Sequence, residues 1–245
     1  MHPQPDIPSG NQVGILIPAL NSHFFLPELL ERIADVQATL SGIKFVVLIV
    51  DDGSQPPIEV PKIPGLETEV THHPRNRGKG AALRTGFSFF LDQPEIFAII
   101  TVDADLQHPP EQIPAFVNTF NDGGGDIIIG HRSKNPKIMP WHRILSNTIT
   151  SIIISMMIRQ YIPDSQCGFR LYSRNVLKAI HLTEERFHLE SEILVRAGWK
   201  HFRIVSIPVP TIYNNAGSAI RHLSDTLNFI TMLWKLIRER ITGNV

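Results

Sequence analysis

Two aspartates separated by one residue follow an apolar segment in the run Asp103-Ala104-Asp105-Leu106-Gln107. Carboxylates at alternate positions just beyond a strand can both reach one divalent cation, and Gln107 adds a neutral oxygen two residues later. Mg²⁺ and Mn²⁺ prefer oxygen ligands and leave positions open for substrate phosphates. The run therefore predicts a metal site built from Asp103, Asp105 and Gln107. The alternative is a solvated acidic loop, because an Asp-x-Asp triplet is also common by chance.

A second acidic pair, Asp51-Asp52, ends another apolar run and is followed by Gly53 and Ser54. Its carboxylates could accept hydrogen bonds from a base N–H or a ribose hydroxyl, while Gly53 permits a tight turn. A turn that only caps the strand is the alternative. The pattern leaves both interpretations open.

The basic, glycine-containing run from Asn76 to Gly80 precedes a helical pattern. Glycines allow close backbone approach to a ligand, and Lys79 together with a helix N-terminus favours a phosphate anion. The run is not a Walker A loop, because Gly80 stands where that loop has Ser or Thr. A glycine-rich helix entry without a ligand is the alternative.

Two arginines and two glutamates complete the candidate chemistry. Arg132 and Arg170 each lie two residues after a glycine, and guanidinium groups suit diphosphate oxygens, although surface ion pairing is their commoner role. Glu190 and Glu192 open a helical pattern. Either could act as a general base, or both could be acids favoured by the helix dipole.

The elements that must position these residues alternate between strand and helix. Continuous apolar runs predict strands buried on both faces at Val13–Pro18, Phe45–Val50, Ile96–Val102 and Asp126–Ile129, and a weaker strand signal covers Glu67–His72. Helical spacing predicts helices from Pro27 to Val36, over Gly80–Leu91 and over Pro110–Phe120. This alternation predicts an α/β fold with a mostly parallel central sheet, in which ligands bind at the carboxyl ends of the strands. Both acidic pairs fall at such ends.

The second half of the chain has a less regular pattern. It predicts a helix around 141–160 with a buried apolar run at Ile149–Ile158, a polar loop from Asp164 to Arg170, a helix near 188–198 and a strand at Phe202–Val209. A C-terminal amphipathic helix is predicted over about 221–241. Residues 1–12 are Pro-rich and are predicted to form a disordered tail.

Composition limits the classes of function. Lys+Arg and Asp+Glu both number 23 in 245 residues, and this balance argues against nucleic acid as a partner. The single cysteine, Cys167, cannot form an intrachain disulfide, which suits a reducing cytoplasm. No apolar run reaches the roughly 18 residues that a transmembrane helix needs. We expect a cytoplasmic protein, with peripheral contact at the inner face of the membrane as an option.

Six short motifs occur in one order along the chain. They are Ile17–Asn21, Val50–Ser54, Asn76–Gly80, Asp103–Pro110, Gly130–Arg132 and Gly168–Arg170. In that order and at those intervals, they resemble the family-2 glycosyltransferases of the dolichol-phosphate mannose synthase type. The resemblance implies a GT-A fold over residues 13–220 and an inverting transfer of a sugar from a UDP- or GDP-linked donor, dependent on Mg²⁺ or Mn²⁺.

The resemblance also implies roles for particular residues. Nucleotide-binding roles fall on Pro18, Ala19, Asn21, Asp51, Asp52, Gly53, Asn76, Gly78, Lys79 and Asp103. The metal would be held by Asp103, Asp105 and Gln107 on the donor diphosphate. Catalytic roles fall on Asp105, Arg132, Arg170 and Glu192, with the arginines neutralising donor or acceptor phosphate.

The acceptor decides whether a base is needed. Polyprenyl phosphate is already an anionic nucleophile, whereas a sugar hydroxyl must lose a proton to Glu190 or Glu192. Polyprenyl-phosphate members commonly have an Arg three residues before a Gly-Ser-Lys run. Here Asn214 and Ala219 replace that Arg and Lys. Both acceptor classes therefore remain open.

The C-terminal helix has an apolar stripe at Leu223, Leu227, Ile230, Trp234, Ile237 and Ile241. Such a stripe usually packs on a domain core or pairs with a second copy in a homodimer, and we expect one of these. The alternative is contact with an anionic membrane surface, helped by Lys235, Arg238 and Arg240.

Two other functions are compatible with parts of the sequence. A catalytically inert module could bind a nucleotide-sugar or a membrane surface without turnover. A nucleotidyltransferase would use a related sheet, but it usually has a glycine-rich basic loop after the first strand, where this chain has Pro18–Ser22.

Overall fold

A seven-stranded sheet forms the centre of the molecule in the computed structural model, which describes residues 11–133, 139, 141–185, 188–210, 212 and 222–243. The strands are β1 (Gln12–Ala19), β2 (Lys44–Asp51), β3 (Glu67–His72), β4 (Ile96–Thr101), β5 (Ile127–Arg132), β6 (Arg170–Ser173) and β7 (Ile204–Val209). Their order is β3-β2-β1-β4-β6-β5-β7. All neighbouring pairs are parallel except those of β6, which is antiparallel to both β4 and β5.

Helices connect and cover the strands. They are α1 (Leu26–Thr39), α2 (Lys79–Leu91), α3 (Ile113–Asn121), α4 (Trp141–Ile158), α5 (Arg174–Ala179), α6 (Leu189–Trp199) and α7 (His222–Ile241), with a 3₁₀ turn at Pro110–Gln112 before α3. None of the described helices is long and apolar enough to span a bilayer. Residues 1–10 of the predicted tail, and the stretch 213–221 that holds Asn214 and Ala219, lie outside the described residues.

The central strands form because their apolar residues are buried on both faces. All of β4 and all of β2 except Lys44 are buried. The register pairs Pro18 with Val50 and Leu16 with Thr101, so the carboxyl ends of β1, β2 and β4 lie side by side. These are the ends at which both acidic pairs were predicted to lie.

Strand β6 and helix α5 were not predicted. The sequence interpretation placed a polar loop up to Arg170, but a four-residue strand begins there. Only Leu171 and Tyr172 are apolar within it, too few to produce a periodic signal. The strand forms because it fills the gap between β4 and β5 and pairs with both.

Helix α4 contradicts the prediction of a buried apolar helix. Its polar residues Asn147 and Ser151 are buried, whereas Ile149 and Ile152 are half exposed. Helical spacing predicted the helix correctly but not its orientation, because the loop that it covers is polar.

Helix α7 packs on the domain, but through a different face from the predicted stripe. Met232 and Leu236 are buried, while Ile230, Trp234, Ile237 and Ile241 of the stripe are exposed. The helix is fixed to α6 by the ion pair of Glu239 with Arg196 (2.6 Å) and by Arg240, whose guanidinium lies 4.6 Å from the centre of the Trp199 ring. Phe229, Met232, Leu233 and Leu236 form a second apolar stripe, and this one meets the core.

Candidate functional site

Asp52 links the end of β2 to the glycine-containing loop before α2. Its carboxylate accepts hydrogen bonds from the backbone N–H groups of Arg77 (3.0 Å) and Gly78 (2.7 Å), and it contacts His73 Nδ1 at 2.6 Å. The carboxylate is buried and holds this loop beside the sheet. These backbone amides are therefore bound within the protein, and Lys79 is the remaining group of the loop that was predicted to face a phosphate.

Asp51 has the turn-capping role that the sequence left open. Its carboxylate accepts from the N–H groups of Ser54 (2.9 Å) and Ile58 (3.0 Å) and contacts His72 Nδ1 at 2.9 Å. Burial alone would raise the pKa of Asp51, but these hydrogen bonds outweigh it and lower the pKa to about 2. Asp51 therefore shapes the site as a permanently ionised anchor.

A cleft of about 380 Å³ lies beside these anchors, a size at the small end of ligand sites. Its lining consists of Leu20, Asn21, His23, Gly53, Gln55 and Asn76. Asn21, Gly53 and Asn76 were predicted to bind nucleotide, whereas His23 and Gln55 were missed because neither forms part of a recognisable motif.

Backbone geometry keeps this cleft open. Gly53 has φ +85°, and a Cβ there would come within 2.5 Å of the backbone carbon of Arg75. The Asn21 side chain accepts a hydrogen bond from the N–H of Gln55 (3.1 Å), and the Ala19 carbonyl accepts from Asp52 N–H (2.8 Å). Ala19 itself is buried and does not line the cleft.

A larger groove of about 790 Å³ lies between the 58–66 loop and β3. It is lined by residues 58–64, 66, 68, 70 and 72, and none of these belongs to the predicted site. The predicted nucleotide-binding residues therefore line the smaller cleft and not this groove.

Lys79, Asp103 and Glu190 form an ion cluster where α2, the end of β4 and α6 meet. Lys79 Nζ lies 2.7 Å from Asp103 Oδ1 and 3.4 Å from Glu190 Oε2. Burial would lower the pKa of Lys79, but Asp103 and Glu190 outweigh it and raise the pKa. Burial likewise opposes ionisation of Asp103, and Lys79 reverses this and lowers the pKa of that carboxyl. The amine is thus a fixed cation beside the predicted metal ligands.

The residues of the Asp103–Gln107 loop fit a divalent cation. Burial, and then the charge of Asp103, raise the pKa of Asp105, so a divalent cation would stabilise the ionised form of this carboxyl. Gln107 lies in the same tight loop, because its N–H donates to Asp105 Oδ1 at 3.0 Å. Within the described residues no group of three or more His, Cys, Asp or Glu side chains is placed to hold a metal ion by itself. Two carboxylates and an amide suit a site that shares its metal with substrate phosphates.

Gly168 keeps space open beside the same loop. A Cβ at this position would come within 2.7 Å of Asp103 Oδ2 and 2.8 Å of Lys79 Nζ. Its carbonyl is fixed by the Thr101 hydroxyl at 2.7 Å. A larger residue there would have to displace the side-chain ends of Asp103 and Lys79.

Arg132 reaches this region from the end of β5. Its guanidinium forms a two-point pair with Asp164 through Nε (2.8 Å) and an Nη nitrogen (3.0 Å). The Arg132 side chain is 18% exposed, and its charge acts on both Asp103 and His108. Asp164 was missed by the sequence interpretation, and it fixes the orientation of an arginine that faces the site.

Arg170 does not fit its predicted role in binding phosphate. It is fully buried, and its guanidinium donates to the carbonyl oxygens of Ser165 (2.7 Å), Cys167 (2.6 Å) and Glu190 (2.8 Å). These bonds use the guanidinium to hold the 165–170 loop against α6. Arg170 is buried because the three carbonyl groups would destabilise the fold if they were buried without a hydrogen-bond donor.

Glu192 does not fit the predicted role of a catalytic base. Its carboxylate is fully buried and accepts from Thr183 N–H and hydroxyl, from Glu184 N–H and from Arg196 Nε. It therefore anchors a loop to α6. Glu190, two residues earlier, is the acid that contacts Lys79.

Comparisons with known proteins agree on one family. The family model described as glycosyl transferase family 2 matches residues 14–180. An uncharacterised protein of Methanocaldococcus jannaschii is 32% identical over 241 residues, which cover 94% of this chain and 93% of that protein.

Two relatives have assigned activities. An undecaprenyl-phosphate 4-deoxy-4-formamido-L-arabinose transferase of Klebsiella pneumoniae is 31% identical over 207 residues, covering 82% of this chain and 60% of that protein. A UDP-N-acetylglucosamine–dolichyl-phosphate N-acetylglucosaminyltransferase of Methanococcus voltae is 32% identical over 152 residues, covering 60% of each chain. The matched region thus spans only 60% of the length of both transferases.

Solved structures share the fold. Glucosyl-3-phosphoglycerate synthase from Mycobacterium tuberculosis, in complex with phosphoglyceric acid, superposes with a TM-score of 0.64 and 15% identity over 92% of this chain and 80% of that one. The same enzyme with Mn²⁺, uridine diphosphate and glucosyl-3-phosphoglycerate gives a TM-score of 0.63 at 15% identity, with the same coverage. At this identity the likeness concerns the fold alone.

Proposed function

Because the chain belongs to the family-2 glycosyltransferases, we propose that it transfers a sugar from a nucleoside-diphosphate sugar to a polyprenyl phosphate, with a divalent metal at Asp103, Asp105 and Gln107. One observation carries the proposal: the cluster of Lys79, Asp103 and Glu190 lies beside Asp105 at the carboxyl end of β4. The choice of acceptor is supported by the two relatives that act on lipid phosphates.

The donor spans two adjacent parts of the site in this proposal. Its nucleoside occupies the cleft lined by Asn21, Gly53 and Asn76, and its diphosphate lies toward Lys79. Asp51 and Asp52 hold the walls of the cleft through their backbone hydrogen bonds. Whether the donor carries uracil or guanine depends on the side chains that the cleft presents to the edge of the base.

Charge governs the transfer step. The acceptor phosphate oxygen attacks the anomeric carbon of the sugar, a new C–O bond forms, and the bond to the diphosphate breaks with its electron pair on the leaving nucleoside diphosphate. A single displacement of this kind inverts the anomeric centre. Mg²⁺ or Mn²⁺ held by Asp103, Asp105 and Gln107 would act as a Lewis acid on the leaving diphosphate.

Residues of the chain supply the remaining charge. Lys79 neutralises the donor diphosphate, and Arg132, oriented by Asp164, neutralises the acceptor phosphate. An ionised phosphate needs no base, so Glu190 serves to position Lys79. With a hydroxyl acceptor, Glu190 would be the acid in place to remove the proton, and Glu192 would remain structural.

A donor screen tests the proposal. UDP-sugars and GDP-sugars are compared by thermal shift with Mn²⁺ and with EDTA, and the stabilising donor is then incubated with polyprenyl phosphate. We expect one nucleotide to raise Tm by roughly 5 to 10 °C at about 100 times its Kd, only with metal. Transfer of labelled sugar to the lipid should follow.

Lys79→Ala is the matched variant for this screen. It should retain the fold but lose most of the donor-induced shift, because its amine faces the diphosphate. Stabilisation without any transfer would favour a nucleotide-sugar binding module. Release of pyrophosphate from a nucleoside triphosphate would favour a nucleotidyltransferase instead.

A further inference from the structure

A buried histidine, His73, lies directly beyond the carboxyl end of β3. Its backbone N–H donates to the Asp51 carbonyl (2.8 Å), which extends the hydrogen bonding between β2 and β3 past the last residue of the strand. The imidazole therefore lies next to Asp52, with Nδ1 at 2.6 Å from Asp52 Oδ1. Because a carboxylate accepts hydrogen bonds, Nδ1 carries the hydrogen of this contact. The His73 side chain is only 6% exposed, so the pair is shielded from solvent.

The second nitrogen of the same imidazole reaches α2. His73 Nε2 lies 2.9 Å from the Thr85 hydroxyl, which belongs to the second turn of that helix. With the hydrogen on Nδ1, the neutral ring accepts at Nε2 from this hydroxyl, and the two bonds together fix the orientation of the ring. His73 therefore joins the end of β2 to the body of α2.

Asp52 connects this histidine to the loop before α2. Its Oδ1 is shared between His73 Nδ1 and the Arg77 N–H (3.0 Å), and its Oδ2 accepts from the Gly78 N–H (2.7 Å). Helix α2 begins at the next residue, Lys79. The helix is thus attached at Gly78 through Asp52 and at its second turn through His73, and Lys79 lies between the two attachment points.

We propose that His73 is a positioning residue for the sugar donor. By holding Asp52 and the second turn of α2 together, it fixes where the helix begins, and this sets the location of the Lys79 amine at the donor diphosphate. His73 is not among the residues that line the nucleoside cleft, so it acts through its partners. The inference deepens the proposed function and rests on it for the role of Lys79.

The position of this amine depends on the helix that carries it. A lysine side chain is long and flexible, so its amine is placed only as firmly as its backbone and its partners allow. Lys79 Nζ lies 2.7 Å from Asp103 Oδ1, and a shift of the first turn of α2 would disturb this contact. The Ala81 N–H also donates to the Glu185 carbonyl (2.8 Å), which gives the turn a second support. Loss of the His73 imidazole should therefore weaken the placement of Lys79 without abolishing it.

Three variants test this role. His73→Leu removes both hydrogen bonds of the ring, Thr85→Val removes one, and His73→Asn keeps an amide N–H that can donate to Asp52. In His73→Leu, KM for the nucleotide-sugar should rise about tenfold while kcat stays within about threefold, because the diphosphate is bound in both the ground state and the transition state. Calorimetry with UDP and GDP, each with Mn²⁺, should show the same loss of affinity. His73→Asn should recover most of it, and Thr85→Val should lie between the two.

Gln160→Leu is the matched control for lost stability. The Gln160 side chain also makes two hydrogen bonds, to the Phe202 carbonyl (2.8 Å) and from the Ile204 N–H (2.9 Å), at the amino end of β7 and away from the site. Both leucine variants should lower the melting temperature by a few degrees. Only His73→Leu should weaken nucleotide binding.

Amide hydrogen exchange reports on the loop without any nucleotide. In His73→Leu, the Arg77 and Gly78 amides should exchange about tenfold faster, because their acceptor Asp52 is no longer held, and in Gln160→Leu they should not. Wild-type nucleotide affinity in His73→Leu, or an equal loss in His73→Asn, would overturn the inference and leave the proposed function standing. Wild-type protein that bound neither UDP nor GDP would refute the proposed function together with the donor role of His73. The exchange rates would then still decide whether His73 holds the loop.

Discussion

Asp105→Ala should lower the rate of sugar transfer about a hundredfold or more, while the free energy of unfolding without metal changes by about 1 kcal/mol or less. The rate falls because one of two carboxylates at the predicted metal site is lost. Stability is retained because burial and the charge of Asp103 already disfavour ionised Asp105, which offsets the loss of contacts such as the hydrogen bond from Gln107 N–H. Rate and melting temperature, each with Mn²⁺ and with EDTA, measure both effects.

Asp35→Ala is the control for this variant, since Asp35 is an exposed acid on α1. It should transfer sugar at the wild-type rate. In the wild type, Mn²⁺ should raise the melting temperature in the presence of nucleotide, and this rise should vanish in Asp105→Ala. Full turnover by Asp105→Ala would refute the metal assignment.

Arg170→Met should lower the free energy of unfolding by about 3 to 5 kcal/mol. The change removes the donor from three buried carbonyl groups at Ser165, Cys167 and Glu190, and methionine cannot replace it. Urea denaturation followed by circular dichroism gives this value. A lysine at the position should not rescue stability, because an ammonium group does not reproduce the planar fork of the guanidinium.

The matched control is Arg203→Met, because Arg203 is exposed and its side chain donates a 3.3 Å bond to the Gly123 carbonyl. It should cost less than about 1 kcal/mol. If Arg170 bound donor phosphate instead, Arg170→Met would keep the wild-type stability and lose only donor affinity. That result would restore the role predicted from sequence.

The resemblance to family-2 glycosyltransferases and the GT-A fold are both confirmed, the first by the family match and the second by the solved structures. Strands β1, β2 and β4 were predictable because continuous apolar runs have one stable location, the buried centre of a parallel sheet. The positions of Asp51, Asp52 and Asp103 at strand ends followed from the same runs. The local sequence was sufficient for these strands, because a continuous apolar run indicates both that the strand is buried and where it ends.

Tertiary structure decided which of these residues face a ligand. Asp52 binds Gly78 across 26 residues, and Lys79 meets Glu190 across 111, so neither contact appears in a local pattern. Arg132 and Arg170 have the same sequence context, yet one faces the site and the other is buried in backbone hydrogen bonds. A motif supplies the residue type, but the partners that the fold brings to it determine its role.

The same division applies to the helices. Periodicity located α4 and α7, because helical spacing is a local property. It could not choose between two apolar stripes on α7 or foresee that α4 buries its polar side, since the choice depends on the surface against which each helix packs. For α4 that surface is the polar 162–165 segment, which takes up Asn147, Ser151 and Ser155 and leaves the apolar stripe exposed.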